Sequence, residues 1–266
     1  MTGRIRLAAD IGGTFTDIVL DTGSRRMATK VLTTTRAPEQ AVLEGTAALL
    51  GKAELGFAAI ELFVHGTTLA TNTVIERKGA ATALIATEGF RDVVEIADES
   101  RFDQYDVLIE KPRPLVPRRW RFPVPERIDV AGRVLLRLDK AAVERVAAEL
   151  EKNCIEAVAV AFMHGYANPA HEQMTREIIA KRLPNVAVTL ASEVCPEVRE
   201  FERTSTAIAN AYVQPLMAGY LGRLEQVFHE RGCTAPIHLM TSGGSLASLD
   251  AARRFPVRLV ESGPAG

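Results

Sequence analysis

The sequence is short of cysteine and of aromatic residues. Its 266 residues include three cysteines and one tryptophan, and aromatic side chains account for 6% of the chain. The cysteines, Cys154, Cys195 and Cys233, lie far apart and form no CxxC pair. Their odd number and wide spacing are typical of a reducing cytoplasm, where each thiol packs as a small apolar side chain.

Long apolar segments and an excess of one charge are also missing. The longest apolar run, residues 157–163, is far shorter than the ~20 residues that span a bilayer. Asp10 interrupts the N-terminus before a signal-peptide core could form. With 32 Lys+Arg against 33 Asp+Glu, the net charge of −1 provides no basic excess for nucleic acid. We therefore expect a cytoplasmic protein with neither a membrane nor a nucleic-acid partner.

Hydrophobic periodicity divides the chain into an all-β start and an α/β remainder. Alternation on both sides of Gly12-Gly13 and again near residue 30 predicts three strands joined by tight turns, an antiparallel meander. Beyond Pro38, helical and strand patterns alternate and indicate a mixed, largely parallel sheet. Asp139 is predicted to cap the helix that begins there. The predicted strands cover residues 4–10, 14–20, 27–33, 62–65, 81–87, 157–163, 186–190 and 236–240, and the predicted helices cover 38–51, 68–77, 139–153, 168–183 and 200–231.

Proline modifies this prediction in two places. Five prolines fall within residues 111–125, so we expect an extended surface connection there without regular structure. Pro215 lies inside the longest helical stretch and is predicted to kink or divide it.

The richest local chemistry lies in the octapeptide DIGGTFTD, which begins at Asp10. Gly12 and Gly13 in a hairpin turn let the backbone approach a ligand closely, with N–H groups free to face an anion. Thr14 and Thr16 add hydroxyl groups, and Asp10 can hold a hydrated Mg²⁺ beside phosphates. The alternative is a tight hairpin whose glycines serve only its backbone geometry. A Rossmann or Walker site fits less well, because neither glycine pattern is present and no helix follows.

This turn resembles the first phosphate loop of the actin-like ATPase superfamily, which includes sugar kinases, actin and heat-shock chaperone ATPases. Longer motifs follow it in order as far as the last residue, and together they resemble the hydantoinase A / 5-oxoprolinase family. They include HGTTLATN after residue 64, MTSGGS and a final ESGPAG. The segments that carry the resemblance are residues 63–80, 83–96, 101–106, 168–172, 192–217, 240–245 and 261–266.

The resemblance implies an α/β fold, one half of an actin-like (ribonuclease H-like) ATPase with an N-terminal antiparallel meander and a mixed sheet. It also implies an ATP-dependent, Mg²⁺-dependent enzyme that phosphorylates a cyclic amide for ring-opening hydrolysis. By position, the phosphates and Mg²⁺ would be held by Asp10, Gly12, Gly13, Thr14 and Thr16. Relatives that carboxylate ketones would activate their substrate by the same phosphorylation.

The HGTT segment supplies further candidates at a strand-to-helix junction, where N–H groups point outward. His65, Thr67 and Thr68 are candidates for a catalytic or binding role, and Asn72 for lining the site. The alternative is that a threonine caps the helix while His65 packs at the strand end.

Two other sets of residues also have two possible roles each. Ser242, Gly243 and Gly244 form either a second anion-facing turn or only a loop. Arg203 either lines the site, as the family motif implies, or belongs to a solvated helix terminus. A metal site at His164, His171 and Glu172 lacks a further convergent ligand, so capping and surface roles are favoured for these side chains.

The resemblance also implies how the chain is organised. Residues 1–190 correspond to the family's N-terminal region and residues 191–266 to the start of its core region, cut before a second phosphate loop. We therefore expect the N-terminal portion of a larger subunit, inactive by itself, that works with a B-type hydantoinase subunit on a cyclic amide or ketone. A sugar-kinase-like small-molecule kinase and a non-catalytic assembly subunit remain alternatives.

Overall fold

The computed structural model describes residues 4–34, 36–98 and 105–262. Most of the 101–106 motif and the last four residues of ESGPAG lie outside the described residues. The described strands are β1 (Arg6–Ile11), β2 (Phe15–Asp21), β3 (Arg26–Leu32), β4 (Leu62–Thr67), β5 (Thr82–Thr87), β6 (Arg121–Val124), β7 (Arg127–Ile128), β8 (Val134–Leu136), β9 (Ala157–Ala161), β10 (Ala187–Leu190), β11 (Ile237–Met240) and β12 (Leu246–Ser248). The described α-helices are α1 (Pro38–Lys52), α2 (Leu69–Ile75), α3 (Val93–Ile96), α4 (Lys140–Lys152), α5 (Ala170–Arg182), α6 (Ala191–Val194), α7 (Glu200–Glu230) and α8 (Leu249–Arg254).

The chain forms two compact units. Unit 1 comprises Met1–Lys78 and Leu216–Gly266, and unit 2 comprises Gly79–Pro215. The boundary at residue 190, which separates family regions by their motifs, stays a prediction.

Unit 1 contains a six-stranded mixed sheet in the order β12-β11-β4-β1-β2-β3. Its first three strands are antiparallel neighbours, which confirms the predicted meander, whereas β4 pairs parallel with both β1 and β11. Alternate residues of β1, namely Leu7, Ala9 and Ile11, are buried. Helix α1 packs against β2 closely at Gly45, where a Cβ atom would come within 2.3 Å of the Ile18 side chain.

Unit 2 contains a parallel sheet in the order β10-β9-β5-β6 and a separate β7-β8 hairpin. All five residues of β9 are buried, as the apolar run predicts. The expectation that residues 111–125 lack regular structure is wrong, because this segment contains β6. Pro123 is tolerated there because β6 is an edge strand, on which a missing N–H need not break a ladder.

Helix α7 runs without interruption through Pro215. The expected division of this helix is therefore wrong: proline removes one intrahelical hydrogen bond, and the turns on either side continue. Asp139 caps α4 as predicted, since its Oδ1 accepts a hydrogen bond from the Ala142 amide at 2.9 Å. Among the described helices, none is long and apolar enough to cross a membrane.

Candidate functional site

Three parallel strands of unit 1 end at one edge of the sheet. Ile11 at the end of β1 is the register partner of Thr67 at the end of β4, and β11 ends beside β4 at Met240. The segments that follow these strands are the Gly12-Gly13 turn, the start of α2 and the turn at 241–245. Because carboxyl ends of parallel strands are where α/β proteins bind ligands, this edge is the candidate site.

The Gly12-Gly13 turn leaves backbone N–H groups free. The Gly12 amide donates to the Phe15 carbonyl at 3.0 Å, and the Gly12 carbonyl accepts a hydrogen bond from Thr33 Oγ1 at 3.0 Å. Gly13 and Thr14 are exposed, and their amides have no hydrogen-bond partner among the described residues. Two adjacent free N–H groups form the kind of concave donor that binds a phosphate oxygen.

The two threonines of the turn lie in different environments. Thr14 is exposed, whereas Thr16 is fully buried and its hydroxyl lies 3.0 Å from that of Thr33. The Thr33 hydroxyl donates to the Gly12 carbonyl, so Thr33 links the buried Thr16 hydroxyl to the backbone of the turn. Thr16 therefore stabilises the turn from the interior, a different place from the ligand-facing one that the family motif implies.

Asp10 lies on the exposed face of β1, opposite the face on which Leu7, Ala9 and Ile11 are buried. Partial burial and the charge of its register partner Asp17 raise the pKa of the Asp10 carboxyl above its ordinary value. Gly66 lies beside it, and a Cβ atom there would come within 2.7 Å of Asp10 Oδ1. With Ser262, these residues line a cavity of about 190 Å³. Two exposed carboxylates side by side on neighbouring strands, Asp10 and Asp17, offer the oxygen atoms that a hydrated divalent cation such as Mg²⁺ prefers.

Backbone and side-chain bonds join the start of α2 to the end of β1. Thr68 donates to the Ile11 carbonyl through both its amide, at 3.0 Å, and its hydroxyl, at 3.1 Å. Asn72 Nδ2 donates to Thr68 Oγ1 at 3.2 Å and lies 3.7 Å from where a Cβ atom of Gly13 would stand. Thr67 is buried, and its hydroxyl accepts a bond from the Leu69 amide at 3.2 Å. Thr68, the N-cap residue of α2, and Asn72 thus adjoin the glycine turn, whereas the Thr67 side chain is turned into the interior beside the first residue of the helix.

His65 lies in the core of unit 1. Its ring is fully buried, with Nδ1 3.0 Å from the Ala9 carbonyl and Nε2 2.6 Å from the Tyr220 hydroxyl. A carbonyl can only accept, so Nδ1 carries the proton and Tyr220 donates to Nε2. Burial lowers the His65 pKa from its ordinary value of 6.5 to about 4, so the ring is neutral at pH 7. This is the packed strand-end placement that the sequence left as the alternative to a catalytic one.

The Ser242–Gly244 segment is an exposed hairpin turn between β11 and β12. The Arg258 carbonyl accepts bonds from the Ser242 amide at 2.9 Å and hydroxyl at 3.3 Å. The Gly244 amide bonds to the Thr241 carbonyl at 2.9 Å, and Gly244 has a φ of +75°, which favours glycine. The turn therefore stands at the candidate edge, with Ser242 already engaged by the protein.

Arg203 belongs to unit 2 and is only 1% exposed. Its guanidinium donates to the carbonyls of Glu197 at 2.6 Å, Val198 at 3.1 Å and Phe162 at 3.4 Å. The alternative of a solvated helix terminus is wrong for this side chain, because neighbouring carbonyls replace water around it. The family-implied role in lining a site stays a prediction.

The same unit buries two residues that were expected at the surface. Glu172 accepts bonds from the amides of Phe162 at 3.1 Å and Ser192 at 2.9 Å, and burial raises its pKa to about 6. His171 Nδ1 lies 2.7 Å from a carboxylate oxygen of Glu126. The expected surface role is therefore wrong for both residues. The part of the chain that the structure describes contains no group of three or more His, Cys, Asp or Glu side chains that could hold a metal ion.

Comparison with known sequences identifies the family. The hydantoinase/oxoprolinase N-terminal region matches residues 6–183, and the hydantoinase/oxoprolinase domain matches residues 203–266. The chain belongs to the hydantoinase/oxoprolinase family. This confirms the family to which the sequence motifs pointed.

Characterised relatives of this hydantoinase/oxoprolinase chain act on different substrates. The caprolactamase subunit alpha of Pseudomonas jessenii is 35% identical over 98% of this chain. The 5-oxoprolinase of Saccharomyces cerevisiae is 30% identical over 99% of it, and the acetophenone carboxylase gamma subunit of Aromatoleum aromaticum is 30% identical over 89%. The chain spans only 38%, 23% and 35% of these three relatives, respectively.

Solved structures agree on the fold of this family member. The ATP-dependent caprolactamase of Pseudomonas jessenii superimposes with a TM-score of 0.89 at 34% identity, over 98% of this chain and 39% of that one. A nucleotide-free acetone carboxylase superimposes with the same TM-score at 24% identity, over 98% of this chain and 39% of that one, and shows the fold alone. The α/β fold, consistent with half of an actin-like ATPase, is therefore confirmed.

Proposed function

We propose that this chain forms the first phosphate-binding half of an ATP-dependent enzyme that activates a cyclic amide for ring-opening hydrolysis. The observation that carries the proposal is the pair of exposed amides at Gly13 and Thr14, which have no hydrogen-bond partner among the described residues, in the turn that follows Asp10 and the end of β1. The names of two relatives, a caprolactamase and a 5-oxoprolinase, support a cyclic amide as substrate.

The chemistry requires positioning and charge neutralisation around a phosphoryl group. The amide oxygen takes the γ-phosphoryl group of ATP, and ADP leaves with the electrons of the broken P–O bond. Water then adds to the activated carbon, the C–N bond breaks as the ring nitrogen gains a proton, and a second water releases inorganic phosphate. The two reactions together consume one cyclic amide, one ATP and two waters.

The residues of unit 1 divide this work among them. The amides of Gly13 and Thr14 would bind phosphate oxygens, and Asp10 would hold Mg²⁺ through water, where the ion would supply positive charge against the phosphates. His65 is a positioning residue, because its ring joins the Ala9 carbonyl next to Asp10 to Tyr220. Thr16, through Thr33, holds the Gly12 carbonyl and so the shape of the turn.

Partner and location are part of the same proposal. Two relatives are named as subunits, which supports assembly with a partner, and we propose a B-type hydantoinase subunit. The three cysteines form no disulfide, which supports a cytoplasmic location. Ketone activation is the second candidate, supported by the 30% identity to an acetophenone carboxylase subunit.

Asp10→Asn in the full-length protein, assembled with its partner subunit, tests the proposal. We expect lactam-dependent ATP hydrolysis to fall about 100-fold or more, as when one preorganised electrostatic group is removed from other active sites. Asp250→Asn, on a 95% exposed side chain, is the matched control and should leave the rate unchanged.

Other outcomes would contradict the proposal in different ways. Full activity of Asp10→Asn would favour a non-catalytic assembly subunit. A stable phosphorylated small molecule as the end product would favour a sugar-kinase-like enzyme. Phosphorylation of acetone or acetophenone with no turnover of lactams would favour the ketone carboxylases.

A further inference from the structure

Large apolar side chains are exposed together on the β7-β8 hairpin of unit 2. Val130, Val134, Leu135 and Leu136 are 69%, 47%, 65% and 50% exposed, although they lie within seven consecutive residues. Single exposed apolar residues are common on protein surfaces, whereas a contiguous group indicates a surface that binds another molecule. The phosphate-binding role proposed above lies in unit 1 and makes no use of this hairpin.

An irregular register accompanies the exposure of these side chains. Ile128 pairs with Val134 and its neighbour Arg127 pairs with Leu136, so Leu135 is an extra residue on β8, as in a β-bulge. A bulge interrupts the alternation of side chains between the two faces of a strand. Ile128 on β7 is fully buried, while all three residues of β8 are exposed. The hairpin therefore contributes to the core through β7 and presents β8 outward.

The turn of the hairpin is fixed to the segment that follows β9. His164 Nδ1 donates to the Ile128 carbonyl at 2.9 Å, and Asn168 Nδ2 donates to the Gly132 carbonyl at 2.9 Å. Gly132 has a φ of +78°, and a Cβ atom there would come within 3.2 Å of the Ala167 carbonyl oxygen. Because the hairpin is already ordered, another molecule that binds it loses little free energy to ordering it.

The charged groups next to β8 leave this surface positive. Arg133 and Arg137 immediately precede and follow the strand, and both are exposed. The nearest carboxylates in the sequence are already bonded within the protein, since Asp129 pairs with Arg133 at 2.7 Å and Asp139 accepts a bond from the Ala142 amide at 2.9 Å. Arg137 forms no ion pair among the described residues. A carboxylate on a binding partner would therefore complement Arg137.

Charge and register favour a different chain over a second copy of this one. In a symmetric dimer the same patch faces itself, so Arg133 and Arg137 would face the same cations on the other copy. The extra residue at Leu135 also disrupts the strand edge along which two copies would pair. Two relatives are named as subunits, which supports a partner with another sequence.

We propose that the β7-β8 hairpin is a docking surface for the partner subunit, and that the partner receives it in an apolar groove edged by carboxylates. Val134, Leu135 and Leu136 enter the groove, and Arg137 pairs with a carboxylate at its rim, as in interfaces with an apolar core and a polar rim. The inference rests on the proposed function for the existence of a partner subunit, and it is independent of the phosphate site.

The affinity of the full-length protein for its partner subunit, measured by isothermal titration, tests the apolar contact. Leu135→Asp should weaken binding about 30-fold or more, because it places a charge in the apolar centre of the interface. The matched control is Leu32→Asp in β3 of unit 1, where the side chain is 67% exposed against 65% for Leu135. This control should leave the dissociation constant unchanged.

Arg137→Glu tests the charge at the rim. We expect affinity to fall about 10-fold, mainly through slower association, because the new carboxylate repels those of the partner. Association of the unaltered protein should slow as the NaCl concentration rises, and Arg137→Glu should remove this dependence. Arg25→Glu, on the exposed turn between β2 and β3, is the control and should behave as the unaltered protein does.

Hydroxyl-radical footprinting examines the same surface without any substitution. Leu135 and Leu136 should be oxidised in the full-length protein alone and should lose this labelling in the complex with the partner subunit. Protection that is already present without the partner would assign the surface to another part of the same chain. Protection that increases with the concentration of the protein alone would assign it to a second copy. Either result would overturn the inference.

The remaining outcomes separate this inference from the proposed function. Equal effects of Leu135→Asp and Leu32→Asp, or no effect of either, would overturn the docking surface. Lactam-dependent ATP hydrolysis by a complex in which Leu135 stays labelled would overturn it as well, while the proposed function would stand. Protection of the hairpin in a complex that fails to bind Mg·ATP would support the docking surface and contradict the proposed function.

Discussion

Both units bring polar groups to the carboxyl edge of parallel strands, but the two edges differ in what those groups are bonded to. In unit 1, the amides of Gly13 and Thr14 and the carboxylate of Asp10 are exposed at the end of β1. In unit 2, Glu172 and Arg203 are buried where β9 ends, bonded to backbone amides and carbonyls. A polar group without a partner in the protein can still bind a ligand, whereas a group that is hydrogen-bonded within the protein stabilises the fold.

The largest expected effect concerns the polar side chains that are buried at the end of β9 in unit 2. Arg203→Met removes the donors to three carbonyls and a positive charge that lowers the pKa of Glu172. We expect unit 2 to lose about 3–5 kcal/mol of unfolding free energy, because one hydrogen bond from a charged group contributes about 1.5–3 kcal/mol. Denaturant unfolding measures this, with Arg199→Met, on an 81% exposed side chain, as control. Equal stability of the two variants would show that Arg203 is not structural and would favour the family-implied site role.

A smaller effect is the pH dependence of stability, which should have opposite signs in the two units. The folded-state pKa of His65 lies at about 4, below its ordinary value of 6.5. Between these values the unfolded chain binds more protons, so stability rises with pH and about 3 kcal/mol is lost as pH falls from 6.5 to 4. The folded-state pKa of Glu172 lies at about 6, above its ordinary value of 4.5. Between these values the folded chain binds more protons, so about 2 kcal/mol is lost as pH rises from 4.5 to 6.

The opposite signs can be measured by hydrogen exchange between pH 4 and 7, corrected for the intrinsic exchange rate. Peptides from β4 should gain protection as pH rises, and peptides from α5 should lose it. His65→Gln should flatten the first trend, and Glu172→Gln the second. Glu177→Gln, on the exposed face of α5, should leave both trends as they are. Trends of equal sign in both units would contradict the burial argument.

The smallest effect concerns the exposed carboxylate at the end of β1 in unit 1. Gly66→Ala places a Cβ atom only 2.7 Å from Asp10 Oδ1, so the carboxylate must move. We expect Mg·ATP affinity to fall about 10-fold, as when a group that orients a metal ligand is changed. Gly56→Ala, which has no atom within 4 Å of its Cβ position, should leave this affinity unchanged in isothermal titration. Unchanged affinity in Gly66→Ala would separate Asp10 from nucleotide binding.

Local patterns in the sequence predicted most of the strands and helices and the turn at Gly12-Gly13. Strand alternation and helical periodicity depend on neighbours a few residues apart, so they predicted the meander, the buried β9 and the cap at Asp139. They failed at β6, because whether Pro123 is tolerated depends on the strand lying at an edge. They also failed at Pro215, because the rest of a 31-residue helix outweighs one missing bond.

The site divides in the same way. DIGGTFTD and HGTT consist of residues whose backbone freedom and hydroxyl groups can be read directly from the sequence, so local patterns were sufficient to select the candidate segments. Which of their side chains are exposed and which are buried depends on tertiary packing. His65 and Thr16 turn inward because their partners, Tyr220 and Thr33, come from 155 and 17 residues away. Burial and bonding over such distances depend on sheet register and helix packing, which no local pattern encodes.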